Sequence, residues 1–401
     1  MILRLKPCTC QKKAVPLHPQ RFLCPMNSIH DIDQLYIPEF EKYLKTPEPS
    51  VRERADSWRT AIGLQAVDQL TVSDFLKQTA QQHIEGKINT DEAEKLLKAY
   101  YKAKDIRQPD DDEKEEADIV SLNIIKVLGE QSFTFSVAGF AAVHRQIFKG
   151  VFKHAGQFRD YDFTKKEWVL DGDTVLYGRW SELQRTLAYD LDQEKQFDYT
   201  NLALPDAIRH IADFVAGIWQ IHPFREGNTR TTAIFTIKYL RSIGFQQINN
   251  DLFEQHSWFF RNALVRANYR NVQKAVNPDN SFLVAFLRNL LLGEQTPLHN
   301  RDLHISFAGV QSAKESAQSA IQSAKIREEL PSKCKICTLE EVAVLRIVQQ
   351  IPAATQKQIA ALIGKSERTV KTITVNLTQK GILLRRNGKR NGYWEITQDE
   401  Q

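Results

Sequence analysis

Nine consecutive residues, His222-Pro223-Phe224-Arg225-Glu226-Gly227-Asn228-Thr229-Arg230, bring together a base, a carboxylate, an anion cradle and a cation. Gly227 and Asn228 precede a run of helix formers, Thr231 to Arg241, so backbone N–H groups there face outward as an anion site at a helix N-terminus. Phosphate is the natural guest. Glu226 adjoins that site and is the carboxylate that polyphosphate chemistry needs to hold Mg²⁺, while Arg230, one turn into the helix, can pair with phosphate oxygens in a fork. His222, at the other end of the loop, carries an imidazole whose unperturbed pKa of about 6.5 suits proton abstraction from a hydroxyl. Pro223 restricts the loop and Phe224 is an apolar anchor. Any one of these residues alone is more often structural than functional. Together, at about one chance in twenty per fixed position, the pattern should arise in a chain of this length with probability on the order of one in a million.

The pattern His-Pro-Phe-x-(Asp/Glu)-Gly-Asn-x-Arg is the signature of the Fic family, which this sequence resembles over roughly Ala117 to Leu292. The resemblance implies a mostly helical core, ATP and Mg²⁺, and transfer of AMP to a Tyr, Thr or Ser hydroxyl of a target protein. On the same basis His222 is the general base, Glu226 the Mg²⁺ ligand, Gly227 and Asn228 the phosphate-binding loop, and Arg230 the residue that grips the outer phosphate. Thr229, also placed on the nucleotide side, stands where Gly or Lys is usual, which leaves the transferred group open between AMP and another, such as UMP or phosphate. Phe260 and Asn268 resemble positions that stack on and hydrogen-bond to the nucleotide; a core ring and a surface cap are the equal alternative. Between Glu167 and Tyr177 an Asp-Gly turn signal separates two β-prone runs, which reads as a hairpin. It lies where the family has its flap, which clamps a target segment by strand addition.

Upstream, the segment from Trp58 to Leu70, with His83 to Gly86 and Ala93 to Tyr101, resembles the small helical antitoxins that inhibit Fic proteins through (Ser/Thr)-x-x-x-Glu-Gly. Leu64, Asp68 and Gln69 take the Ser, Glu and Gly positions, so the resemblance implies that Asp68 pairs with Arg230 and displaces the γ-phosphate. Glu85-Gly86 is a rival match, with Gln81 at the Ser position, but its place just before a helix start reads as an ordinary C-cap.

The elements that must hold these residues are mainly helical. Apolar residues recur at helical spacing from Ile29 to Leu44 and from Val51 to Tyr101, with a start signal at Thr90-Asp91-Glu92. The acidic run from Pro109 to Glu116 reads as a solvated loop. Thr296 to Ser332 loses its large apolar residues and reads as a linker. Residues 1–50 form a leader, of which 1–25 lack periodicity and end before Met26, a second candidate start. A regulatory segment (51–105), a catalytic domain (106–295), the linker (296–332) and a tail domain (333–401) follow. The expected fold class is mainly α: a Fic-fold helical core with a β-hairpin flap and a C-terminal winged-helix domain.

The tail supports helices at Leu339 to Gln350, Gln356 to Ile363 and Ser366 to Gln379, then strands Ile382 to Leu384 and Tyr393 to Ile396 around the turn Asn387 to Gly392. That order resembles a winged helix-turn-helix. Arg368, Thr369, Lys371 and Thr372 open its third helix, where base edges of duplex DNA would be met, and Arg385, Arg386, Lys389 and Arg390 on the wing suit phosphate. Such domains also bind protein, and both partners stay open. The whole chain carries a net charge of +5, but residues 331–401 hold twelve Lys/Arg against six Asp/Glu, so the basic character belongs to the tail. A DNA-binding regulator with a nucleotide-sensing core is therefore the alternative to an enzyme.

At 42% hydrophobic over 401 residues the chain can bury a sizeable core. No apolar stretch approaches the roughly 20 residues of a membrane span and no signal-peptide core opens the sequence, so a cytoplasmic protein is expected. Five cysteines (Cys8, Cys10, Cys24, Cys334, Cys337) are too few and scattered for a disulfide framework. Cys334 and Cys337 have the spacing of half a zinc site, without a second pair to complete it.

Overall fold

A computed structural model describes residues 38–199, 202–245, 248, 251–307, 338–363, 365–386 and 392–397. The leader, all five cysteines, most of the linker and wing residues Lys389 and Arg390 lie outside the described residues.

Short α1 (Pro38–Leu44) precedes α2 (Pro49–Gly63), which Pro49 opens in its first turn. A 3₁₀ turn, Leu64–Asp68, continues α2 and stops where Gln69 takes a left-handed φ of 59°. Ser73 then caps α3 (Asp74–Ile84), its Oγ accepting from Leu76 N. An Asn89/Glu92 capping box opens α4 (Thr90–Lys102). The acidic run expected as a loop is instead the start of α5 (Asp111–Gly129). Asp111, Asp112 and Glu113 occupy its first turn, where the helix dipole favours negative charge.

The central region follows with α6 (Val137–Ile147), α7 (Leu183–Gln196), α8 (Leu204–Ile221), α9 (Asn228–Ser242), α10 (Asp251–Asn268), α11 (Ser281–Leu292) and α12 (Asn300–Leu303). α9 is buried continuously from Asn228 to Leu240, which makes it the axis of the bundle. One apolar cluster runs from Phe40 to Leu303 and takes in Trp58, Leu76 and Leu97 as well as Ile234 and Phe235 of α9. The N-terminal helices therefore share one core with the helices from α6 to α12. α2 is bolted to α10: Arg59 pairs with Glu254, and Ser257 Oγ donates to Gly63 O at 2.7 Å. A Cβ on Gly63 would lie 2.3 Å from Glu254 Cα, so only glycine permits this approach.

The expected hairpin from Glu167 to Tyr177 contains no strand. Its turn is present, with Asp171 and Gly172 both left-handed, but Trp168–Leu170 form a 3₁₀ turn. Val169 and Leu170 are consecutive and both fully buried, whereas a half-buried strand alternates its faces. The start of the expected linker is also structured, since it includes α12 and Ile305 N donates to Val169 O at 2.9 Å.

The tail builds a second apolar cluster around Leu345, Ile359, Val370, Leu377 and Trp394. It consists of α13 (Leu339–Gln350), α14 (Gln356–Ile363), α15 (Glu367–Gln379), and antiparallel β1 (Leu383–Arg386) and β2 (Tyr393–Ile396), with Leu383 opposite Ile396. No helix among the described residues is long and apolar enough to cross a membrane.

Candidate functional site

The loop between α8 and α9 is held by its own residues. α8 ends where His222 turns left-handed (φ 50°, ψ 56°), and α9 begins at Gly227 (φ 72°). Asn228 laces the loop shut: its Oδ1 accepts from Phe224 N at 2.9 Å and its Nδ2 donates to Phe224 O at 2.8 Å. What Asn228 offers a ligand is thus its backbone N–H, in the helix turn whose N–H groups have no helical acceptor. At Gly227 a Cβ would come within 2.2 Å of the Phe148 ring.

Two residues that the sequence did not single out anchor this loop. Buried Arg159 donates from Nε to His222 O at 2.8 Å and from Nη2 to Gly178 O, and its backbone N–H donates to Pro223 O. His144, fully buried, stacks on Phe224 with 3.8 Å between ring centres. Its Nδ1 accepts from Gly156 N at 2.8 Å, which leaves Nε2 to donate to Glu226 O at 3.1 Å. Their neighbours in sequence mix apolar and charged residues without a period that marks either as functional.

His222 is 3% exposed, and the Tyr177 ring stacks on it at 4.1 Å. Its Nδ1 lies 3.3 Å from Trp219 O, while Nε2 is buried with no partner. Burial drives the imidazole well below its ordinary pKa, and the charge of Lys165 pushes the same way. The ring is therefore neutral near pH 7 with an unpartnered nitrogen, as a base requires.

Arg230, 1% exposed, is enclosed by acceptors. Nη1 donates to Gln65 Oε1 and Nη2 to Glu116 Oε1, each at 2.9 Å. Asp68 Oδ2 stands 2.8 Å from Nε, an ion pair in which the N–H is not aimed at the oxygen. The Phe148 ring covers the guanidinium at 4.7 Å. Asp68, Gln65 and Glu116 thus converge on the one guanidinium. Glu85, the rival, pairs with Lys87 and Tyr43 instead.

Glu226 is open to solvent, yet its carboxyl pKa is raised, first by partial desolvation and then by Glu116 and Asp68 nearby. Among the described residues no cluster of three His, Cys, Asp or Glu could hold a metal. A single accessible carboxylate fits Mg²⁺, which binds through one or two carboxylates, waters and substrate phosphates.

Three expected nucleotide contacts are placed otherwise. Phe260 is fully buried between Phe253 and Phe286, so its ring is core and has no face open to stack on a base. Asn268 caps its own helix, Nδ2 donating to Leu264 O and Ala216 O at 3.0 Å each. The Thr229 hydroxyl accepts from Trp219 Nε1 at 3.0 Å, turned inward rather than toward a phosphate.

In the tail, Arg368 and Lys371 are exposed on α15. Arg385 lies over the Trp394 ring at 4.6 Å, and Arg386 Nε pairs with Glu395 at 2.5 Å.

The site thus sets a buried histidine, its Nε2 without a partner, at the end of one helix and a left-handed glycine at the start of the next, inside a mainly helical bundle. The chain carries a Fic/DOC family domain, matched over residues 134–240. Proteins with this domain are typically transferases of nucleotidyl or phosphoryl groups. Among solved structures, a Fic family protein from Desulfovibrio desulfuricans G20 is 13% identical, with 90% of this chain and 94% of that chain covered and a TM-score of 0.40. The N-terminal Fic domain of a VirB-translocated Bep effector protein from Bartonella quintana is 23% identical, with 35% of this chain and 68% of that chain covered and a TM-score of 0.28. No curated protein matches the chain.

Proposed function

We propose that this protein transfers AMP from ATP to a Tyr, Thr or Ser hydroxyl of a target protein, and that Asp68 and Glu116 restrain it. One observation carries the reading: His222 Nε2 is buried and unpartnered on the same loop that presents the N-terminus of α9. Nε2 takes the proton of the attacking hydroxyl, whose oxygen bonds to the α-phosphorus as pyrophosphate leaves. The N–H groups at the start of α9 orient the phosphates and Arg230 pairs with the outermost one. Mg²⁺, when bound at Glu226, neutralises phosphate charge.

In the structure Arg230 is already engaged by Gln65, Glu116 and Asp68, so an outer phosphate must compete with them for the guanidinium. That is the basis of the restraint. The test is label transfer to protein in a cell lysate from α-labelled and γ-labelled ATP, using wild type, Asp68→Ala and Asp68→Ala/His222→Ala. AMP transfer gives α-label only, strongest with Asp68→Ala and absent without His222. γ-Label on protein would assign phosphate transfer, and no label from either would leave a nucleotide sensor.

The exposed Arg368 and Lys371 on α15 support a second reading for the tail, as a module that docks on duplex DNA. Retention on DNA, described below, tests it.

A further inference from the structure

Trp219 lies in the last turn of α8 and is held at both ends. Its carbonyl accepts the His222 backbone N–H at 3.1 Å and faces His222 Nδ1 at 3.3 Å. Its indole Nε1 donates to the Thr229 hydroxyl at 3.0 Å, across the gap between α8 and α9. A carbonyl can only accept, so Nδ1 must carry the ring proton and the lone pair falls on Nε2, the atom without a partner. The tautomer of the base is thus set by where the Trp219 carbonyl points.

That carbonyl needs an anchor. His222 is a non-glycine residue with left-handed φ and ψ, a conformation that persists only where the surroundings enforce it. Relaxing the last turn of α8 would turn the ring away from the carbonyl. Trp219 is 1% and Thr229 7% exposed, so water does not replace the indole's acceptor if the hydroxyl is lost.

We propose that Thr229 is a positioning residue for the base: through the Trp219 indole it fixes the end of α8, and with it the tautomer and direction of the His222 ring. The proposal rests on the reading of His222 as the base of a transfer reaction, and it assigns the Thr229 side chain a role other than phosphate contact.

Thr229→Val keeps the shape and removes the acceptor; Thr229→Ser keeps the acceptor. The full chain, labelled with ¹⁵N-histidine and with His222 assigned by difference from His222→Ala, reports the tautomer directly. Wild type and Thr229→Ser should show the Nδ1–H form, and Thr229→Val a mixture of tautomers. In transfer assays Thr229→Val should lower kcat about tenfold with the KM for ATP within about twofold, and Thr229→Ser should restore most of it. The NMR readout needs no transfer activity, so it decides the role of Thr229 even where AMP transfer itself fails to appear. A wild-type tautomer in Thr229→Val overturns the proposal, as does a loss of kcat that Thr229→Ser fails to restore.

Discussion

A histidine that works as a base is useless when protonated, and burial under Tyr177 keeps His222 neutral well below the pH at which a free imidazole charges. Because the folded-state pKa is depressed, the neutral base persists as pH falls past about 6.5, and activity is lost only as pH drops through the lower value. The acid limb of kcat/KM for transfer should therefore lie below about pH 6.5. Lys165 contributes to the depression as a like charge, so Lys165→Gln should move that limb upward without abolishing activity. An unmoved limb in Lys165→Gln, or a limb at or above the free imidazole value in wild type, would show that the buried setting does not persist when the site works. At this scale the nine-residue run was legible because its chemistry is contiguous. The work of its side chains was less so: Asn228 turns back on Phe224 to close its own loop, and Thr229 turns to Trp219, a contact that depends on two helices meeting in the fold.

Arg230 is where elements distant in sequence converge, and its partners show what a sequence can and cannot disclose. Helix starts were readable because they are local: the Thr90-Asp91-Glu92 signal and Ser366 before Glu367 sit within one turn of the helices they open, although the residue that caps α4 is Asn89. Asp68 was found through the antitoxin resemblance. Glu116 was missed, because an acidic run without an apolar period reads as solvated, and nothing local says that its last carboxylate meets an arginine 114 positions away. The hairpin failed for a related reason, since Val169 and Leu170 both face the core. With two carboxylates on one guanidinium, removing either leaves the other in place. Asp68→Ala and Glu116→Gln should each raise transfer by less than about tenfold, and the double variant by more than the product of the two. Asp68→Glu, one methylene longer, should pair more fully with Arg230 and fall below wild type. Initial rates with α-labelled ATP decide the matter; rates unchanged in all four variants would make the 3₁₀ turn and the start of α5 packing elements only.

Across the whole molecule, the N-terminal helices and the tail relate to the catalytic helices differently. The former share one core with them, through Arg59 on Glu254 and Gly63 against α10, whereas the tail keeps a separate core and meets the bundle at polar contacts such as Arg346 on Leu202 O. The tail's charge is also partly spent inside it: Lys365 pairs with Glu340 and Lys380 with Glu341, holding α14 and α15 against the start of α13. What remains exposed on α15 is Arg368 and Lys371, at the end of the helix that would enter a groove, with Arg386 on β1 beside its partner Glu395. If this face binds duplex DNA, affinity must fall steeply with salt as counterions are released. Full-length protein titrated against labelled duplexes at several salt concentrations should show that slope. Lys371→Ala should lower it by about one unit, and Arg368→Ala should relax the preference among sequences. Arg386→Ala should weaken all sequences alike, by less than a free arginine would, because Glu395 already claims its guanidinium. Retention that is absent, or insensitive to salt, would mean that Arg368 and Lys371 face a protein partner and that the tail serves to bring the target to the transfer site.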